Sequence, residues 1–305
     1  MLRAVAADLP DMIYVKDTES RFMMANKAAA NNIGAANSAD LLGKTDFDFF
    51  PHDLAAGFFE DERKVLLSRQ PQVSKEEFIP EASGKIRCIL TTKVPLFDAA
   101  GQVIGIIGIG RNITKLKAVE AELKHARDEL AFKAAHDSLT SLLNQGTILD
   151  MLGRELARGA RENSPTAVLL GDLDLFKSVN DVHGHPIGDE VLREVANRLM
   201  KAVRPYDLVG RFGGEEFLIV LPGCAAPNAL ARADQLREAI AASPIPTTRG
   251  PIPMTVSIGV LVAQDWGHPT PEEVLREVDI ALYASKAAGR NCCTVAAPPS
   301  LRASV

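Results

Sequence analysis

Glu215 and Glu216 stand side by side in Gly213-Gly214-Glu215-Glu216-Phe217, between the apolar runs Leu208-Val209 and Leu218-Ile219-Val220-Leu221. Adjacent carboxylates repel, so a site that keeps both needs a cation or a proton. Hard divalent ions such as Mg2+ take oxygen ligands of this kind. A polar hairpin tip accounts for the same five residues, and the choice between the two rests on the rest of the chain. Asp172 offers a third acid, just after the buried-type run Ala167–Leu170 and before Leu173-Asp174-Leu175-Phe176-Lys177. A carboxylate at the end of a buried strand can reach a neighbouring hairpin tip. Acids converging from two strands can hold two Mg2+ ions about 3.5–4 Å apart, the arrangement used for in-line phosphoryl transfer. Lys177, Lys286 and Arg290 are then placed to neutralise phosphate oxygens. Lys286 and Arg290 are four apart near a helix C-terminus, on one face if the helix continues that far.

The elements that must position these residues follow from patterning. Gly-Gly between two strand-like runs is a hairpin signal. Thr166 to Leu173 reads as a buried strand, and Met254 to Val262 as another. Asp189 to Val203 is an amphipathic helix, apolar at Val191, Leu192, Val195, Leu199 and Val203. Pro227 to Ala242 and Pro271 to Ala288 are helices with proline at the tolerated first turn. Residues 135–297 thus form a central sheet with helices packed on it, followed by a short disordered tail, 298–305.

Upstream, Met12-Ile13-Tyr14-Val15 and Phe22-Met23-Met24 flank Lys16-Asp17-Thr18-Glu19, a hairpin candidate. Ala28 to Phe50 reads as short helices and loops, and Ala55 to Leu67 as a helix. The strands Gln72–Ile79, Lys85–Val94 and Val103–Ile109, joined at Ser83-Gly84 and Asp98-Ala99-Ala100-Gly101, make an antiparallel meander. Short helices on such a sheet suggest a small α+β sensor module over residues 1–112. Leu9 to Asp17, Asn26, and the ending Gly110-Arg111-Asn112-Ile113-Thr114 resemble a PAS domain, with Asn112 where that family has Asp. Gly105, Gly108 and Gly110 lack the spacing and the following helix of a dinucleotide loop, and fit a close-packed strand. His52 suits a surface or capping role better than a haem ligand. The residues do not name a PAS ligand.

Residues 113–134 carry charge, no Gly or Pro, and apolar residues at Leu116, Val119, Leu123, Ala126 and Leu130. This heptad-like seam reads as a helical, coiled-coil linker joining two protomers. The whole chain, 305 residues with net charge −5, accommodates about two α+β domains and shows no footprint of nucleic-acid binding. Cys88, Cys224, Cys292 and Cys293 lack zinc spacing and read as reduced thiols. Met1 to Pro10 does not resemble a secretory signal, and no apolar run approaches the ~20 residues that span a bilayer.

Taken together, the C-terminal motifs resemble a GGDEF diguanylate cyclase. They are Asp172-Leu-Asp174-Leu-Phe176-Lys177-x-x-Asn180-Asp181, Gly184-His185-x-x-Gly188-Asp189, Arg211 to Phe217, Ser257 to Val260, and Ala281-Leu282-Tyr283-x-x-Lys286-x-x-Gly289-Arg290-Asn291. Ala135 to Asn144 resembles that family's opening segment. The resemblance implies condensation of two GTP into cyclic di-GMP by a homodimer in the bacterial cytoplasm. It implies two Mg2+ ions held by Asp172, the Leu173 carbonyl, Glu215 and Glu216, with Glu216 also helping to deprotonate the attacking hydroxyl. It assigns guanine to Asn180 and Asp189, and the rest of the nucleotide to Phe176, Lys177, Gly213, Gly214, Lys286 and Arg290. Asp174 and Asp181 read as solvated surface acids, and His183 and His185 as a structural loop. Arg204-Pro205-Tyr206-Asp207 matches the family's R-x-x-D product-inhibition site, with Arg158 as a further contributor. A surface Arg–Asp pair is the plainer account of that turn, and helix capping and a turn are the plainer accounts of Asp189 and Asn180. Two other functions remain compatible: a silent cyclic di-GMP receptor, and a cyclase making a mixed guanine–adenine product.

Overall fold

Burial at every second residue of Met12–Lys16 makes this segment a strand, β1, with one face turned inward. The computed structural model describes residues 8–80, 85–266 and 269–297, and it divides into two units, Met1–Ala126 and Arg127–Val305. In the first unit β1 pairs with β2 (Phe22–Ala25), giving the expected hairpin. Helices α1 (Lys27–Ile33) and α2 (His52–Ser68) follow, then β3 (Gln72–Pro80), β4 (Ile86–Phe97) and β5 (Val103–Asn112). The five-stranded antiparallel sheet has the order β2-β1-β5-β4-β3. The expected meander is therefore present, although β4 continues through Pro95 to Phe97. The Ser83-Gly84 turn and the 298–305 tail lie outside the described residues.

The β5 glycines serve packing. A Cβ on Gly108 would lie 2.1 Å from the Tyr14 ring, so β1 and β5 can pair here only around a glycine. His52 is exposed at the start of α2. Asn112 Oδ1 accepts the Thr114 amide at 3.0 Å where α3 (Thr114–Ala135) begins, a bond that an Asp side chain would also accept. No residue of α3 is buried, and Leu116, Val119, Leu123 and Leu130 are all more than half exposed. The core around Phe22, Leu41, Ile89 and Ile106 also contains ions, with Lys16 and Lys93 each only 1% exposed.

The second unit has the sheet order β10-β9-β6-β8-β7. Its strands are β6 (Thr166–Leu173), β7 (Leu208–Arg211), β8 (Glu216–Pro222), β9 (Val256–Val262) and β10 (Cys293–Val295), the last parallel to β9. Helices α4 (Gln145–Glu162), α5 (Phe176–His183), α6 (His185–Ala202), α7 (Ala226–Ala241) and α8 (Pro271–Ala287) cover both faces. Ala167 and Leu169 point into the core shared with α6 and α7, while Val168 and Leu170 point toward α4 and α8. Burial on both faces explains why β6 reads as a continuous apolar run.

Several boundaries differ from the sequence reading. Helices α4 and α5 and strand β10 were not anticipated. Helix α6 begins at His185, because Pro186 fits its first turn and Gly184 takes φ +86 before it. His183 and His185 therefore end and begin helices rather than sharing a loop. Asp189 lies inside α6 and cannot be its N-cap. Strand β9 begins at Val256 instead of Met254.

Helix α8 lies close against β9 at Gly259, where a Cβ would meet the Val278 carbonyl oxygen at 2.1 Å and the Leu282 nitrogen at 2.6 Å. These are backbone atoms and cannot swing aside. Gly259→Ala is expected to destabilise the second unit by about 1–3 kcal/mol, read as a lower urea midpoint at unchanged slope.

Candidate active site

Strand parity brings the acids together. Asp172 shares the face of Val168 and Leu170, which packs toward α8. The β6–β8 register sets Glu216 directly opposite Asp172. Helix α8 supplies Lys286, whose ammonium lies 2.9 Å from Asp172 Oδ2. Glu215 joins through the backbone, its carbonyl accepting the Leu173 amide at 3.3 Å.

The hairpin tip is shaped by contacts rather than by special torsions. Neither Gly213 nor Gly214 has positive φ, contrary to the tight-turn expectation. At Gly213 the Glu216 carboxylate lies close over the backbone, its Oε2 2.6 Å from where a Cβ would stand, so a side chain there would push that carboxylate aside. Arg211 closes the loop, donating from Nε and Nη2 to the Gly214 carbonyl at 3.1 and 2.8 Å. Its Nη1 also binds both Asp137 oxygens at 3.2 Å. Partial burial opposes charge on Asp137, but hydrogen bonds from Thr140 and the Arg211 charge outweigh it and hold the carboxyl below its usual range. The sequence reading quoted Arg211 without a role, although an Arg beside a Gly-Gly tip was a visible signal.

Partial burial pushes Glu215 and Glu216 above the usual carboxylate range, and the Asp172 charge pushes them further. Lys286 opposes both effects. Asp279 adds to the repulsion on Glu216; it sits two turns before Lys286 on α8 and went unnoticed in the sequence. The cluster thus carries more negative charge than Lys286 neutralises. Among the described residues no three His, Cys, Asp or Glu side chains converge as a finished coordination shell. The donors are nevertheless all hard oxygens with uncompensated charge, which fits Mg2+.

Asp174 is not a solvated acid. It is 8% exposed and accepts Thr255 Oγ1 and Ser257 Oγ, both at 2.6 Å, and the Asn291 amide at 3.0 Å. It fastens the end of β6 to β9 and to the turn that bears Arg290. Asp181 is exposed, as anticipated. Helix α5 starts after Leu175, which takes φ +58, and points Phe176 inward. Phe176 is 4% exposed and packs over Gly188, so its ring belongs to the core and does not line an open pocket. Asn180 lies over the same glycine, its Oδ1 2.0 Å from where a Cβ would stand, and so beside Asp189. Lys177 is exposed on the first turn of α5. Arg290 falls beyond the end of α8 at φ +67, so it does not share a helical face with Lys286. It lines a cleft of about 570 Å³ with Asp174, Leu175 and Ser178.

The Arg204 turn is built differently from a simple ion pair. Asp207 accepts the Arg204 amide at 2.8 Å and Arg232 Nη2 at 3.3 Å. The Arg204 guanidinium instead donates to the Tyr206 hydroxyl at 2.9 Å. Arg158, on α4, is paired with Glu155 at 2.7 Å.

Comparison with known proteins decides the family. The model "Diguanylate cyclase, GGDEF domain" matches residues 134–292, and "PAS fold" matches residues 7–118. A diguanylate cyclase of Vibrio cholerae is 31% identical over 292 residues, covering 95% of this chain and 88% of its own length. The chain belongs to the GGDEF diguanylate cyclase family. The cyclase unit is also similar to the response regulator PleD of Caulobacter vibrioides, at 40% identity over 55% of this chain and 37% of PleD. Among solved structures, the coiled coil and GGDEF domain of DgcB from Caulobacter crescentus, in complex with c-di-GMP, superposes with a TM-score of 0.54 at 29% identity, covering 60% of this chain and 97% of that one. The chain has the α+β architecture read from the sequence, with a PAS-fold match preceding the GGDEF match.

The raised carboxylates of this cyclase have a consequence for stability. Glu216 is held above its unfolded range, so its ionisation favours the unfolded chain. That cost is absent at acidic pH and grows as pH rises through the glutamate range. In EDTA at neutral pH, Glu216→Gln is expected to melt at a higher temperature than the parent, the gap closing on acidification. Mg2+ should raise the parent's midpoint more than the variant's; calorimetry across pH measures both.

Proposed function

We propose that this cyclase condenses two GTP molecules into cyclic di-GMP, with two pyrophosphates leaving, and that each protomer of a homodimer brings one GTP. The observation that carries the reading is Asp172 in register with Glu216 beside Lys286. In each half-reaction a 3′-oxygen bonds to the α-phosphorus of the other GTP, and the bond from that phosphorus to the pyrophosphate oxygen breaks. Asp172, Glu215 and Glu216, with the Leu173 carbonyl, would hold Mg2+, two ions in full occupancy. When bound, the metal stabilises charge on the phosphate oxygens. A raised carboxyl is suited to taking a proton near neutral pH, and Glu216 is the acceptor for the 3′-hydroxyl proton.

Lys177, Lys286 and Arg290 neutralise the triphosphate, and the absence of side chains at Gly213 and Gly214 lets the phosphates approach the hairpin backbone. Asn180 and Asp189 bind the guanine edge, whose N1–H and amino group are donors that a carboxylate accepts. Phe176 supports that pocket from behind through Gly188. Adenine would leave Asp189 facing an acceptor, a mismatch that such polar sites reject strongly. One site cannot close the ring alone, so dimerisation is part of the chemistry. The exposed seam Leu116, Val119, Leu123 and Leu130, together with the PAS unit, supplies a way to set that dimer. The PAS unit (1–112), linker (113–134) and cyclase unit (135–297) thus act as input, connector and output in the cytoplasm, where GTP and Mg2+ are available.

Product binds at Arg204 and Asp207, with Arg158 contributing. Supporting this, Asp207 is engaged by Arg232 rather than by the exposed Arg204 guanidinium, whose contact with the neutral Tyr206 hydroxyl a phosphate or a guanine edge can replace. The test is incubation with GTP and Mg2+ and mass analysis of the product. The parent should yield cyclic di-GMP and leave ATP untouched. Asp172→Asn should lose at least about 100-fold in turnover; full activity in that variant would refute the site. Arg204→Ala should keep its initial rate and escape inhibition by added cyclic di-GMP, whereas unchanged inhibition would remove Arg204 from that role.

A further inference from the structure

The PAS unit buries ions where a domain core is normally apolar. Lys16, 1% exposed, is bonded to Asp46 and, at 2.6 Å, to Glu62 Oε1, and its ammonium lies 4.4 Å from the Phe22 ring centre. Lys93, also 1% exposed, is bonded to Glu77 Oε1 at 3.0 Å and lies 5.4 Å from the Phe58 ring centre. The unit thus holds two buried ammonium groups in the same way, between carboxylates and aromatic faces.

The count does not close. Two ammonium groups face three buried carboxylates, Asp46, Glu62 and Glu77, and the Lys75–Asp61 pair alongside is neutral in itself. An uncompensated buried charge is costly, and burial accordingly pushes the Glu62 carboxyl above its usual range. The surplus has an address: Glu62 is 1% exposed, and its Oε2 is buried with no hydrogen-bond partner. Glu62 lines a cavity of about 30 Å³, together with Asp46, Glu77, Thr91, Tyr14 and Phe58. Burial, reinforced by the surrounding carboxylates, pushes the Tyr14 hydroxyl up, so it stays neutral and adds no further negative charge. A volume of this size admits one or two bodies the size of water. Haem and flavin are far too large for it.

We propose that this cavity is a binding site for one ammonium ion, seated on Glu62 Oε2 among the carboxylates and aromatic rings that already hold Lys16 and Lys93. The guest is a third ammonium in a core built for two. It supplies one positive charge, a hydrogen bond to the Glu62 oxygen that lacks one, and a fit to aromatic faces that a neutral water lacks. The site belongs to the PAS unit and stands independently of the cyclase assignments.

Calorimetric titration of ammonium chloride into the full chain, at neutral pH in choline chloride of matched ionic strength, tests it. The expected result is saturable binding of one ion per chain, weakened at least about tenfold in Glu62→Gln, with circular dichroism confirming that the variant is folded. Absence of saturable heat in the parent, or equal binding by the folded variant, overturns the proposal. A measurement on the parent alone guards against a variant that fails to fold. With 15N-ammonium, a bound resonance should show contacts to the Tyr14 and Phe58 ring protons. No such resonance means that a proton or water occupies the cavity instead, and the proposal fails.

Discussion

Like charge held together is the constraint on which the catalytic unit depends. Pairing β6 with β8 forces Asp172 and Glu216 into direct opposition, and Glu215 follows one residue away. Left alone, three carboxylates at the end of a sheet would splay outward or take up protons. Lys286 supplies one counter-charge, enough to keep Asp172 engaged but too little to balance the cluster. The raised glutamates are the measure of that shortfall. A folded chain tolerates the repulsion only if the backbone around it cannot relax.

The surrounding residues supply that rigidity. Arg211 spans from Asp137 to the Gly214 carbonyl and holds the loop bearing Glu215 and Glu216. Asp174 accepts bonds from Thr255, Ser257 and Asn291, and so fixes the point at which the chain leaves β6. Gly188 lets Phe176 and Asn180 close down on α6. These contacts join segments far apart in the chain and place no further charge in the cluster. The acids of the cluster and the acid that braces the strand beside them are therefore chemically alike and differ only in partners. Asp172 faces one lysine and two glutamates, while Asp174 faces two hydroxyls and an amide.

That difference explains what could be read beforehand. The hairpin, the buried strand and the position of Asp172 followed from local pattern, because alternation and turn chemistry are short-range. Asp174 was misjudged as solvated because its partners lie more than 80 residues away, beyond any local signal. Helix α5 was missed because it depends on Leu175 in a left-handed conformation, which leucine gives no reason to expect. The family resemblance assigns Phe176 to the substrate, and what no local pattern announces is that its ring is buried over Gly188. Lys16 and Lys93 carried a legible signal that was overlooked. Each falls on the inward parity of its strand, Lys16 in step with Met12 and Tyr14, and Lys93 in step with Ile89 and Thr91.

The two units meet one electrostatic problem with opposite solutions. Both gather more carboxylates than cations. In the PAS unit the imbalance is sealed among aromatic rings, where dielectric screening is weak and every missing partner is costly. In the cyclase unit the imbalance stays half-exposed at a hairpin tip, where water screens it and ions can come and go. A group that must exchange partners in each turnover needs the second arrangement. Lys286 fits this arrangement: about a third of its side chain is accessible while it holds Asp172, so it can change partners without first opening the fold. Lys16, sealed against Glu62, has no such freedom. Burial, rather than the number of charges, separates a cluster that turns over from one that only holds.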